Sequence, residues 1–354
     1  MISVRDDLRA LEGYHSPQVD VAVRLNTNES PIGPPPAFVD AVADAVRSLD
    51  WNRYPDRSAR RLRTGIAELH GVESGNVLVA NGSNEVIQTL LLAFGGPGRT
   101  VLTFEPSYQM HAQIARVTGA SVAAWERAAD FSLDPESATR ALLTHRPHVT
   151  FLTTPNNPTG LAEDPAVLES LMADGDSLVV VDEAYAEFGP WTAIDRVSED
   201  SPMVVLRTFS KTWSMAAARL GYLIGPTWVV RALEAAVLPY HLDAVAQIAG
   251  ETALGFVDEM NGRVREIVAQ RTVVSDGLRS LGCGLVDSSA NFVLFAPPGG
   301  DATTVWAGLV ERGVLVRDCS GWAGLAGWLR VTIGTAEENR FFMNALEEVL
   351  DGRR

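Results

Sequence analysis

The stretch Leu178-Val179-Val180-Val181-Asp182-Glu183-Ala184-Tyr185 restricts the folds open to this chain more than any other. An apolar, β-branched run closed by an acid has the composition of a parallel strand buried on both faces, with a functional group at its carboxyl end. Such a strand requires neighbouring strands and covering helices, and the flanking sequence has the patterns of both. Strand-like segments at 100–104, 121–125, 149–153 and 178–181 alternate with helix-like segments at 111–117, 135–144 and 167–173, and a further strand follows at 204–208. This alternation predicts an α/β fold built on a mainly parallel sheet.

Outside that block, Pro31-Ile32-Gly33-Pro34-Pro35-Pro36 reads as an ordered arm because it is short and follows the polar motif Asn26-Thr27-Asn28-Glu29. Apolar residues at three- and four-residue spacings predict an amphipathic helix over 37–46. Beyond the break at Pro239-Tyr240-His241, residues 245–281 read as mostly helical; strands at 292–295, 314–316 and 329–333 with helices at 303–311 and 337–350 suggest a smaller α+β domain. The expected organisation is an amino-terminal arm with part of the small domain over 1–48, a large domain over 49–240, and a small carboxyl-terminal domain over 241–354.

The 354 residues suffice for two domains, and 46% hydrophobic with 21% charged residues is the make-up of an ordinary globular protein. A net charge of -15 argues against nucleic acid or an anionic membrane as partner, although a local basic pocket can still attract a phosphorylated metabolite. Cys283 and Cys319 show no CxxC spacing, so neither a disulfide framework nor a zinc site is expected. The segment Met1-Ile2-Ser3-Val4-Arg5-Asp6-Asp7-Leu8 lacks the pattern of a secretory signal, no stretch has the length and apolarity of a bilayer span, and a cytoplasmic location is expected.

Ligands in open α/β sheets bind beyond the carboxyl ends of the strands, and three successive strand ends here carry polar groups. Val149-Thr150-Phe151-Leu152-Thr153 runs into Thr154-Pro155-Asn156-Asn157-Pro158-Thr159-Gly160, where the prolines stiffen a loop able to hold Asn157 inward. Asp182 ends the second strand, and Thr208, Ser210 and Lys211 follow the third, with Arg219 eight positions beyond the lysine. Taken alone, that last spacing also suits a solvated lysine; third in an ordered series of strand ends, it suits an amine beside anion-binding groups. A strand over 76–80, the turn Asn81-Gly82-Ser83-Asn84 and a helix over 85–93 form a second anion site, because free N–H groups and the helix dipole point at the ligand. The six histidines form no metal-ligand pattern such as HExxH, and no metal is expected.

The order Asn-Gly-Ser-Asn (81–84), Pro-Ser-Tyr (106–108), Pro-Asn-Asn-Pro-Thr-Gly (155–160), Asp-Glu-Ala-Tyr (182–185), Thr-Phe-Ser-Lys (208–211) and Arg-Leu-Gly-Tyr (219–222) resembles the fold-type I pyridoxal-phosphate aminotransferases, most closely their histidinol-phosphate family. Segments 24–34, 53–56, 313–318 and 328–332 extend the likeness over nearly the whole chain. The resemblance implies a seven-stranded large domain, pyridoxal 5'-phosphate as cofactor, and amino transfer between glutamate and imidazole-acetol phosphate. It makes Lys211 the Schiff-base lysine and proton carrier, Asp182 the partner of the pyridine nitrogen, and Asn157 and Tyr185 donors to the ring hydroxyl oxygen, unless either is only a turn or core residue. Gly82, Ser83, Asn84, Thr208, Ser210 and Arg219 would bind the phosphate, and Tyr108 would stack on the ring, unless it is simply a core aromatic. Tyr54, otherwise a loop tyrosine, would reach the cofactor phosphate of a neighbouring subunit and so implies a homodimer.

Arg330 would hold the substrate α-carboxylate, and Arg317 the substrate phosphate or the distal carboxylate of glutamate, or else only a surface ion pair. Asn28 is assigned to substrate binding, with Glu29 and Gly33 beside it in the arm. His111 reads either as a hydrogen-bonded structural residue or as a neighbour of the substrate imidazole, and stays outside the expected site. Asn84 stands where many relatives have an acid, and Ser30 where some have asparagine. An aromatic amino acid aminotransferase or a threonine-phosphate decarboxylase would share most of the cofactor residues. A cofactor-sensing regulator is disfavoured by the lack of a basic segment ahead of Arg24 and by the presence of both Lys211 and Asp182.

Overall fold

The computed structural model describes residues 2–9, 11, 13, 17–173 and 176–352. In chain order, β1 (Val23–Leu25) and α1 (Pro36–Arg47) precede α2 (Arg60–His70), β2 (Val77–Ala80), α3 (Ser83–Phe94), β3 (Thr100–Glu105), α4 (Met110–Val117), β4 (Ser121–Glu126), α5 (Pro135–His145), β5 (Val149–Thr153), α6 (Pro165–Met172), β6 (Leu178–Asp182), β7 (Met203–Thr208) and β8 (Gly221–Ile224). The remainder comprises α7 (Thr227–Ala236), α8 (Ala244–Ala253), α9 (Val257–Ser280), β9 (Gly284–Leu285), β10 (Phe292–Ala296), α10 (Ala302–Glu311), β11 (Val314–Asp318), β12 (Leu329–Thr332) and α11 (Ala336–Asp351).

Seven strands form one sheet in the order β2-β8-β7-β6-β5-β3-β4, parallel throughout except that β8 runs antiparallel to both its neighbours. This is the mainly parallel α/β sheet that the alternation predicts. The run at β6 is buried at every position, and its side chains divide by parity. Leu178 and Val180 join a core beneath α3, α4 and α7, whereas Val179 and Val181 join the core on the opposite face. That second core continues without a break into Phe292, Val293, Val316 and Val331 of a five-stranded sheet, ordered β1-β11-β12-β10-β9. The first strand of the chain therefore pairs, in parallel, with a strand near its other end.

Several elements carried no expectation from the sequence: β1, α2, β8, α7 and β9. Among them β8 matters most for the site, because its first residue closes the turn after Arg219. A Cβ on Gly221 would lie 2.4 Å from the backbone nitrogen of Ser83, so only glycine lets β8 approach the start of α3. Among the described residues no helix is long and apolar enough to cross a membrane.

Candidate active site

The parallel register sets the carboxyl ends of β5, β6 and β7 side by side, with Thr153 opposite Asp182 and Asp182 opposite Leu206. A cleft enclosing about 1120 Å³, part of it open to solvent, lies beyond these ends. Asn157, Asp182, Tyr185, Thr208, Ser210 and Lys211 line it from the large sheet; Ser83, Asn84, Tyr108 and Arg219 line it from the α3 side, Arg330 from the smaller sheet and Asn28 from the segment after β1. Three expected residues stand outside the lining: Gly82, which caps α3 just before Ser83, and two others. Tyr54 is 79% exposed and stacks on Tyr240 at 4.4 Å, on the surface of this protomer. Arg317, register partner of Arg330, is buried with its guanidinium 5.6 Å from the Trp322 ring. It is not at the surface.

Lys211 Nζ donates to the carbonyl oxygen of Thr27 at 3.1 Å and lies 5.9 Å from the centre of the Tyr185 ring. Burial lowers its pKa to about 8, aided by the positive charges of Arg330 and Arg219 and opposed by Glu29. Asp182, enclosed at the end of β6, accepts from the Ala184 N–H at 3.1 Å and meets His111 Nε2 at 2.8 Å. His111 is itself fully buried and stacked on Phe151, 4.2 Å between ring centres. The histidine thus holds the acid that faces the cleft, a role that sequence reading leaves out. Its three-residue spacing from Tyr108 was the available signal, since that spacing puts both rings on one side of a helical turn; they meet edge to face at 5.3 Å.

Opposite the lysine is an anion cradle. Gly82 caps α3 at φ 84° without any side-chain cap, which leaves the first N–H groups of the helix open to a ligand. The Arg219 guanidinium lies against it, so that a Cβ on Gly82 would come within 2.7 Å of Nη2. Thr208 Oγ1 accepts the Ser210 N–H at 3.1 Å and pairs with the Ser210 hydroxyl at 3.0 Å, setting two hydroxyls beside Lys211. Asn84 Oδ1 accepts from the Tyr108 hydroxyl at 3.1 Å.

On the other wall, Arg330 donates through Nη1 to Asn157 Oδ1 and through Nη2 to the carbonyl oxygen of Asn26, 3.0 Å away. Its Nε is buried without a hydrogen-bond partner, and the guanidinium lies 5.2 Å from the Phe292 ring and 5.9 Å from the Trp322 ring. Trp322 lines the cleft from the loop between β11 and β12 and was not anticipated; an aromatic in a glycine-rich loop between two arginine-bearing strands was its only mark.

The contrast with the buried arginines elsewhere is informative. Arg207 sits between Glu183 and Glu187 at 2.7 Å from each, and Arg127 meets Glu163 at 2.6 Å. Among the described residues, no carboxylate forms an ion pair with Lys211, Arg219 or Arg330. Arg330 is buried, Lys211 half-buried and Arg219 exposed at the cleft, and cations gathered around one cleft with no carboxylate ion pair among the described residues suit anionic ligands. An orphaned guanidinium nitrogen at one end, a glycine-lined cradle at the other and an amine between an acid and a phenol fit pyridoxal phosphate carrying an amino-acid substrate.

Comparison with known proteins agrees. A family model described as aminotransferase class I and II matches residues 20–346. Histidinol-phosphate aminotransferase of Frankia casuarinae is 46% identical over 99% of this chain and 91% of its own length, and that of Thermobifida fusca is 46% identical over 98% and 95%. The crystal structure of histidinol-phosphate aminotransferase from Sinorhizobium meliloti, in complex with pyridoxal-5'-phosphate, superposes with a TM-score of 0.90 over 99% of this chain and 98% of its own; at 22% identity that likeness speaks for the fold alone. With the fold, the cleft and these full-length relatives in agreement, the chain belongs to the class I and II aminotransferases, in the histidinol-phosphate aminotransferase family.

Proposed function

We propose that this protein transfers an amino group reversibly between L-glutamate and imidazole-acetol phosphate, giving 2-oxoglutarate and L-histidinol phosphate. The observation that carries the reading is one lysine flanked by two arginines, Arg219 at the helix end and Arg330 across the cleft, that form no ion pair with a carboxylate among the described residues. Bound pyridoxal phosphate supplies an electron sink for the charge left on the substrate when its α-proton is removed. Gly82, Ser83, Asn84, Thr208, Ser210 and Arg219 would hold its phosphate, and Asn157 and Tyr185 its ring oxygen, while Tyr108 covers the ring. Asp182, oriented by His111, would keep a proton on the ring nitrogen.

Lys211 tethers the cofactor between turnovers and then carries the proton from the substrate α-carbon. A pKa near 8 suits this task, because a sizeable fraction of the amine is neutral close to neutral pH. Arg330 grips the α-carboxylate with its fork, held by Asn157 and the Asn26 carbonyl so that little orientational freedom is lost on binding. Arg317, next to it in the sheet, contributes positive potential for the substrate phosphate or the distal carboxylate of glutamate. The working form we propose is a cytoplasmic homodimer in which Tyr54 of each protomer reaches the phosphate of the other site.

The deciding experiment adds L-histidinol phosphate, L-phenylalanine and L-threonine phosphate separately to cofactor-loaded enzyme, follows the cofactor spectrum and identifies each product. Selective amino transfer from histidinol phosphate is the expected result. Preference for phenylalanine, or carbon dioxide released from threonine phosphate, would reassign the substrate.

A further inference from the structure

Asn28 lies on the cleft wall, in the segment between β1 and α1, yet it is almost fully enclosed, 1% exposed. Its backbone is left-handed, φ 55°, a conformation that asparagine tolerates better than most residues. Three contacts fasten it to the smaller sheet. Its N–H donates to Thr332 Oγ1 at 3.0 Å, the Thr332 hydroxyl donates to Asn28 Oδ1 at 3.2 Å, and Asn291 Nδ2 donates to the Asn28 carbonyl at 3.2 Å. The threonine also determines which way the amide faces. Its oxygen accepts the N–H, so its single proton goes to Oδ1, and Nδ2 is left towards Tyr185, donating to the phenol oxygen at 3.0 Å.

We infer that Asn28 is a positioning residue that acts through Tyr185: by donating to the phenol oxygen it turns the phenolic hydrogen away from the arm and towards the ring oxygen of the cofactor. The assignment of Asn28 to substrate contact gives way to a Thr332–Asn28–Tyr185 relay. This inference rests on the cofactor reading proposed above, not on the identity of the substrate.

The test is a double-mutant cycle in the full-length, cofactor-loaded enzyme, with two readouts: kcat/KM for histidinol phosphate and the pH midpoint of the cofactor's visible absorption. Asn28→Ala is expected to lower kcat/KM about tenfold and to raise the midpoint, because withdrawing a hydrogen bond from the ring oxygen makes the conjugated nitrogen more basic. Tyr185→Phe moves the midpoint the same way. In the Tyr185→Phe background, adding Asn28→Ala should change either readout by less than about twofold. Asn28→Asp, equal in size but unable to donate when ionised, should resemble Asn28→Ala. Equal losses in both backgrounds would overturn the inference, as would an unmoved midpoint with a raised KM, which would make Asn28 a substrate contact. Should the Asn28 variants fail to fold, Thr332→Val, which frees the amide to rotate, must show the same coupling to Tyr185→Phe. If the wild type ignores histidinol phosphate but the midpoint coupling remains, the substrate assignment fails and the relay stands.

Discussion

Arg330 combines two duties that one substitution can separate. Its bonds to Asn157 and to the Asn26 carbonyl shape the cleft for any substrate, whereas its proposed grip on an α-carboxylate concerns glutamate alone, since histidinol phosphate has none. Arg330→Ala should therefore lower kcat/KM for both, through the lost packing on Phe292 and Trp322, but glutamate should lose roughly ten- to a hundredfold more. Steady-state kinetics in the two directions measure the difference, and equal losses would give the arginine another role. Lys211 offers a sharper test, because no neighbouring amine among the described residues can replace the proton carrier: Tyr185 is a phenol whose oxygen accepts from the Asn28 amide, and Asp182 is an acid tied to histidine. Lys211→Ala should abolish turnover while the protein still takes up cofactor without a covalent bond, as read by activity and by absorbance after dialysis. An active alanine variant would sink the site assignment.

At the scale of elements, α2 packs Leu62, Ile66 and Ala67 into the larger core and meets the large sheet through its last residue. His70 Nε2 meets the Tyr222 hydroxyl of β8 at 2.8 Å, and burial, with Arg207 nearby, lowers the histidine pKa to about 4. The unfolded chain would bind a proton there near pH 6.5, so between pH 6.5 and 4 the unfolded state holds more protons than the folded one. Stability from this pair is accordingly complete above pH 6.5 and falls as pH drops towards 4, by up to roughly 3 kcal/mol. Denaturant midpoints across that range should fall less steeply for His70→Gln than for the wild type; parallel slopes would show that acid sensitivity arises elsewhere.

The same helix illustrates what the sequence hides. Its apolar stripe is narrow, Leu62 and Ile66 among three arginines, and Gly65 looks like a break although a Cβ there would lie 2.6 Å from Leu254 Cδ1. β8 is short and opens on glycine, β1 has only three residues, and α7 begins with a strand-like Trp-Val-Val. By contrast β5 and β6, enclosed at every position, carry their burial in their composition, and the polar residues following them were readable because strand ends are where such sheets bind ligands. His111 escaped because its partner, Asp182, is 71 positions away and adjacent only after folding; Trp322 is near Arg330 in sequence but sits in an irregular loop, where no periodicity shows which way a side chain faces.

The molecule as a whole carries a net charge of -15, yet gathers Lys211, Arg219 and Arg330 around one cleft, so attraction of phosphorylated and dicarboxylic ligands is local, not global. One part of the proposed site does not reach that cleft within a protomer. Tyr54 stacks on Tyr240 with rings 4.4 Å apart, and both are exposed, as are Trp51 and Leu238 close to them in sequence. If Tyr54 serves the neighbouring site, Tyr54→Ala should weaken cofactor binding about tenfold in a pure dimer. Complementation then decides between cis and trans action. A hybrid of Lys211→Ala and Tyr54→Ala subunits would contain one site with both residues intact and one with neither. Random reassociation of equal amounts makes half the dimers hybrid, with one working site each, so about a quarter of wild-type activity should return under cofactor-limiting conditions. Were Tyr54 to act within its own protomer, every site in the mixture would carry a defect, and mixing would restore nothing beyond the residual activity of the Tyr54→Ala subunits.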